Sequence, residues 1–135
     1  MFSIYELQKT WDKCHTTATV YEKSFAEICI KQENEVVAEY MAGPVWIGGF
    51  QSTTDDESNG NWALLDGPHR INLTFSTWDS DQPDDVNGVE DNIVMKENGF
   101  WGDEKKQHTY SCLFIDPIIT HKANSKYSIF LSWHF

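Results

Sequence analysis

Basic residues are scarce in this chain. Ten Lys and Arg stand against 21 Asp and Glu, a formal net charge of −11. A chain so short of cations does not neutralise a phosphate backbone, which excludes nucleic acid as a partner. No apolar run approaches the roughly 20 residues needed to cross a bilayer, so membrane insertion is not expected. The opening MFSIYELQKTW has no basic stretch followed by an apolar run. It shows no signal peptide, and the chain reads as cytosolic, or as a mature form or fragment given a starting Met. Cysteine is nearly absent. Cys14, Cys29 and Cys112 offer no metal-binding pair, allow at most one internal disulfide and leave one thiol over. The five His share no metal-ligand spacing, and His69, His108 and His121 sit beside polar residues. With no nucleophile–base pairing and no glycine-rich phosphate loop either, no enzymatic activity is expected.

What is present describes a single packed domain. The chain has 135 residues, 40% of them hydrophobic and 14% aromatic, with six Trp. That is enough to bury a core unaided and too apolar for disorder. Tyr5–Lys13 reads as a short helix, and Glu33–Met41 as a better one, with Val36, Val37 and Tyr40 spaced for one buried face and Gly43-Pro44 as its stop. Val45–Phe50 (VWIGGF) reads as a buried strand. Asn92–Met95 and Thr109–Phe114 read as further strands, with Asn98-Gly99 as the turn signal between them. Trp46, Trp62, Trp78 and Trp101 read as core residues, because large aromatics mostly supply burial.

The charge is uneven. Between Asp55 and Glu104 lie thirteen acidic residues and two basic ones, Arg70 and Lys96; the rest of the chain holds eight of each sign. Residues 51–92 are rich in Asp, Asn, Ser, Gly and Pro, broken by Trp62–Leu65 and Leu73–Phe75. So long an irregular stretch inside a compact domain is usually functional or disordered. Its densest part, QPDDVNGVED at Gln82–Asp91, puts four carboxylates into ten residues. Scattered carboxylate and amide oxygens on a flexible loop are what Ca²⁺ takes, with six to eight ligands at about 2.3–2.6 Å. The plainer readings are a solvated acidic surface, with Gln82 and Asp84 as turn formers around Pro83.

VWIGGF, Asp66-Gly67 after Trp62, Trp78 just ahead of Gln82-Pro83-Asp84, then Glu90-Asp91, IVM, NGFWGDE and YSCLF stand in one order. In that order and at those spacings they resemble the C-type lectin-like domain, over roughly Leu7 to Phe114. The resemblance implies an α+β fold, with two helices flanking small antiparallel sheets and a long calcium-binding loop. It implies one such domain over 1–114; the remainder, 115–135, reads as a C-terminal extension of unknown role packed on the same domain. It implies Ca²⁺ as cofactor, held by Gln82, Asp84, Glu90 and Asp103 around a cis Pro83. The same four groups would hydrogen-bond two vicinal sugar hydroxyls. A second ion would fall to Asp55, Asn59 and Asp85, with Glu90 and Asp91 nearby. Gln-Pro-Asp goes with galactose-type sugars, galactose or N-acetylgalactosamine, though Val86-Asn87-Gly88 lacks the aromatic ring that usually accompanies it. The outer disulfide would be Cys14–Cys112, leaving Cys29, between Ile28 and Ile30, as a buried small hydrophobe. The implied setting is secreted or extracellular; oligomerisation stays open.

Three departures weigh against a simple transfer. Gly102 stands where the family has Asn in Trp-Asn-Asp, so one amide oxygen is missing. Asn92 and Lys106, or a neighbour of Lys106, stand where the family's inner disulfide staples the loop. Ile115–Phe135 follows where such domains usually end. The first functional reading is therefore a calcium-dependent carbohydrate-binding module. The alternative is a lectin-like domain that has lost sugar binding and recognises a protein or surface. Asn72-Leu73-Thr74 is a sequon, usable only on the secretory route.

Overall fold

The computed structural model describes residues 2–51, 62–66, 69–84, 86–116 and 131–132. The chain enters as a strand, not a helix: β1 runs Phe2–Lys9 and α1 follows at Trp11–Val20. The expected helix at Tyr5–Lys13 is thus displaced, for two physical reasons. Phe2, Ser3, Ile4 and Tyr5 are all buried and pair antiparallel with β8 (Tyr110–Ile115), Ile4 opposite Leu113 and Tyr5 opposite Cys112. Thr10 then takes the N-cap, its Oγ1 accepting from the Lys13 backbone N–H, and this sets the helix start at Trp11. Cys14 on α1 and Cys112 on β8 form a disulfide.

After the short β2 (Ser24–Phe25) comes α2, Lys31–Tyr40. Glu33 ties its entry, Oε1 accepting from the N–H groups of Cys29 and Ile30. Its buried residues are Asn34 and Val37; Val36 is half-buried and Tyr40 exposed, so the face is rotated from the one expected. The periodicity was counted on apolar residues alone, whereas Asn34 is buried because both halves of its amide are satisfied. Its Nδ2 donates to Gly99 O and its Oδ1 accepts from Trp101 Nε1, each at 2.8 Å.

The next strand, β3 (Val45–Phe50), lies where expected and is central. It pairs antiparallel with β4 (Ala63–Asp66) and β6 (Asn92–Met95), and parallel with β8. β4 also pairs with β5 (His69–Asn72), so part of the acidic stretch read as irregular is a hairpin. The Asn98-Gly99 turn, with Gly99 at φ 84°, feeds a strand the sequence reading passed over. That strand is β7 (Trp101–Glu104), antiparallel to β6. β9, Leu131–Ser132, lies parallel to β1.

Trp46, Trp62 and Trp101 are buried, and half-buried Trp78 packs edge-on against Trp101 at 6.0 Å between ring centroids. Trp101 belongs to a core with Phe2, Ile28, Val37, Ile47, Ile93 and Leu113. That core fixes the strand beneath the acidic loop.

Candidate metal centre

The site is assembled on β7. Trp101 anchors the strand through its indole, and residue 103 projects beside the incoming loop. Residues 77–79 lie along the strand: Trp101 N donates to Thr77 O at 2.9 Å and Asp79 N donates to Trp101 O at 2.8 Å. A turn with Asp81 at φ 65° follows, Gln82 N donating to Asp79 O, and the Gln82–Pro83 peptide is cis.

Gln82, Asp84 and Asp103 then interlock. Asp84 N donates to Asp103 Oδ1 at 3.0 Å, Asp103 N to Gln82 Oε1 at 3.3 Å, and Gln82 Nε2 to Asp84 Oδ2 at 3.3 Å. Glu90 enters after a 3-10 turn at Val86–Gly88, its Oε1 accepting from Val86 N at 3.0 Å. Carboxylate oxygens of Asp84, Glu90 and Asp103 all lie within 4.8 Å of one another. Asp84 is exposed, Glu90 half-buried and Asp103 buried.

Packing three carboxylates this closely has an electrostatic signature. Burial, a hydrogen bond with Asp84 and the charges of Asp103 and Asp84 push Glu90 up from 4.5 to about 7, against the opposing pull of the Val86 N–H. The cluster therefore holds more negative charge than its own hydrogen bonds offset, and all its donors are hard oxygens. That fits Ca²⁺ in charge and in ligand type.

Asp91 is not in the cluster. It lines a cavity of about 400 Å³ with Trp11, Phe50, Gln51, Asn92 and Lys106, and its carbonyl accepts from Gln51 N at 2.8 Å. Asp55, Asn59 and Asp85 fall outside the described residues. Asn92 and Lys106, the positions lacking the inner disulfide, thus border one cavity. The loop base is held there by Trp11 N donating to Lys106 O at 3.3 Å and by Lys106 Nζ 3.5 Å from Asp12 Oδ2.

Sequence reasoning missed Lys96 and Asp79. Lys96 Nζ lies 3.6 Å from Asp79 Oδ2, which also accepts from Asn98 Nδ2 at 3.4 Å. The Ser80 backbone N–H, the Asn98 amide and Lys96 hold the Asp79 carboxyl below the usual range. The end of Lys96 rests over Gly102: a Cβ placed there would sit 2.8 Å from Lys96 Cε, 3.3 Å from its Nζ and 3.2 Å from Gln82 Oε1. One signal was available, since Lys96 and Arg70 are the two cations of the acidic stretch.

Cys29 is half-buried, where the sequence reading had it buried. Burial, with the Glu27 and Glu33 charges, pushes its thiol up to about 11. Asn72 of the sequon is exposed at the end of β5.

No protein-family model matches the chain. Among solved structures, herring type II antifreeze protein superposes with a TM-score of 0.72 at 24% identity, covering 87% of this chain and 91% of that one. The C-type lectin CEL-I from Cucumaria echinata gives 0.67 at 22%, covering 86% and 90%. A calcium-independent type II antifreeze protein gives 0.69 at 22%, covering 84% and 82%. Likeness at these identities is likeness of fold, and the fold of this chain is that of the C-type lectin-like domain.

Proposed function

We propose that the domain is a calcium-dependent carbohydrate-binding module. Gln82, Asp84, Glu90 and Asp103 hold Ca²⁺, and the ion together with the same side chains holds two vicinal hydroxyls of a sugar. The observation that carries this reading is the convergence of Asp84, Glu90 and Asp103 oxygens within 4.8 Å, from the acidic loop and from β7. Bound Ca²⁺ would offset their repulsion and present a Lewis-acidic face to sugar oxygens. Galactose-type sugars are the proposed class, on the Gln82-Pro83-Asp84 motif. A second ion at Asp55, Asn59 and Asp85, with Asp91, is a further part of the reading. The Cys14–Cys112 bridge supports a secreted or extracellular setting, since reducing compartments rarely keep disulfides.

Gly102 favours a second reading, recognition of a protein or surface without sugar. It supplies no amide to ion or sugar, and a calcium-independent antifreeze protein shares the fold. Calcium titration by calorimetry, followed by a glycan array with and without chelator, separates the two. Chelator-sensitive retention of galactose-type glycans supports the first; calcium binding without any glycan signal supports the second.

A further inference from the structure

Lys96 directly follows β6, the strand paired with Gly102. β6 and β7 are in register with Val94 opposite Gly102 and Met95 opposite Trp101, and Lys96 N donates to Phe100 O at 2.8 Å at the mouth of the turn. The backbone of Lys96 is therefore fixed beside the site, and only its side chain has freedom. That side chain folds across Gly102, where a Cβ would meet Lys96 Cε at 2.8 Å. Lys96 Nζ and Gln82 Oε1 both lie within 3.3 Å of that one point. Gln82 Oε1 in turn accepts from Asp103 N, and Gln82 Nε2 donates to Asp84. Gln82, beside the Lys96 end at Gly102, thus contacts the Asp84 carboxylate and the Asp103 backbone.

We propose that Lys96 is the resident cation of the calcium site, filling the room left by Gly102 and setting how tightly the site takes Ca²⁺. This rests on the calcium reading above. The missing amide and the lysine are then one feature. A side chain at 102 is absent, and in its place a positive charge on a flexible side chain stands beside the site. Before calcium arrives, that charge relieves their repulsion. Once calcium arrives, it opposes the ion. Asp79, 3.6 Å from Nζ, anchors the ammonium and moderates its field without removing it. The effect is electrostatic and only partly shielded, because the Lys96 side chain is 39% exposed and that of Asp79 29%.

The test compares Lys96→Met, which removes the charge, with Lys96→Arg, which keeps it, using calcium chloride titrations by calorimetry at low and at molar salt. Lys96→Met is expected to bind Ca²⁺ about threefold to tenfold more tightly than the native chain at low salt, with the gap narrowing at high salt as charges are screened. Lys96→Arg is expected to stay near the native affinity. The calcium-free melting temperature of Lys96→Met should fall while its calcium-induced shift grows. A variant that binds calcium where the native chain gives no heat also supports the proposal, since the ammonium then blocks the ion. Equal affinities for the native chain and Lys96→Met overturn it while leaving the calcium reading intact, as does equal tightening by Met and Arg, which marks a steric role. No calcium heat from any of the three proteins overturns both.

Discussion

The backbone N–H of Asp84 donates to Oδ1 of Asp103 across 3.0 Å, joining two residues nineteen positions apart. The bond fixes the acidic loop to β7, so each carboxylate locates the other. The cluster's carboxylate oxygens lie within 4.8 Å of one another, and their repulsion adds to the burial that raises the Glu90 pKa.

Asp84 is exposed and Asp103 buried, so the two should respond differently to truncation. Asp84→Ala should weaken calcium binding by at least about tenfold while costing less than about 1 kcal/mol of fold stability, as surface changes usually do. Asp103→Ala should weaken binding and also destabilise, because the Asp84 N–H loses its acceptor. Calorimetry alongside urea unfolding separates the two effects.

Glu90 gives the pH dependence. Folding raises its pKa from 4.5 to about 7, so between those values the folded calcium-free chain holds a proton that the unfolded chain has released. Its contribution to stability is therefore greatest at acid pH and is lost as pH rises through about 7. Calcium expels that proton, so affinity should climb up to about pH 7 and level off above it. Titrations in two buffers of different ionisation enthalpy should report proton release below about pH 7 and none well above it.

Asn34 serves the site from a distance. Asn34→Ala leaves the Trp101 indole N–H and the Gly99 carbonyl without their 2.8 Å partner, which should cost about 2–4 kcal/mol. The midpoint in urea should fall accordingly, with calcium affinity reduced far less than by Asp84→Ala.

The thiols offer an independent check. Cys29, pushed up to about 11 and half-buried, should label slowly in the folded protein at neutral pH. After unfolding without reductant, intact mass should show one label. Reducing Cys14–Cys112, which closes a loop of 98 positions, should cost on the order of 4 kcal/mol if the native geometry carries no strain.

The parts of the fold legible in sequence were those with strong local signals. β3 is a continuous apolar run, β6 is apolar after Asn92, and the Asn98-Gly99 turn announces itself. β1 was hidden because its polar half, Glu6 to Lys9, mimics a helix start, while its pairing partner β8 lies about a hundred residues away. β7 was hidden because Trp101-Gly102-Asp103-Glu104 has one apolar residue; tertiary contacts from residues 77–79 and β6 make it a strand. The three carboxylates that the fold brings together were named through the family resemblance. The lysine over Gly102 was not, since only the hairpin register brings them together.

The central claim is that Asp84, Glu90 and Asp103 form a calcium site, and its most direct measurement is the melting temperature with calcium against chelator. At about a hundred times its dissociation constant, calcium should add roughly 2.7 kcal/mol, a rise on the order of 10 °C for a domain of this size. Gly102→Asn, whose amide displaces the flexible end of Lys96, should enlarge the shift, and Asp84→Ala should abolish it. Identical melting with calcium and with chelator, unchanged by Gly102→Asn, would contradict the account and leave the cluster as a solvated acidic surface.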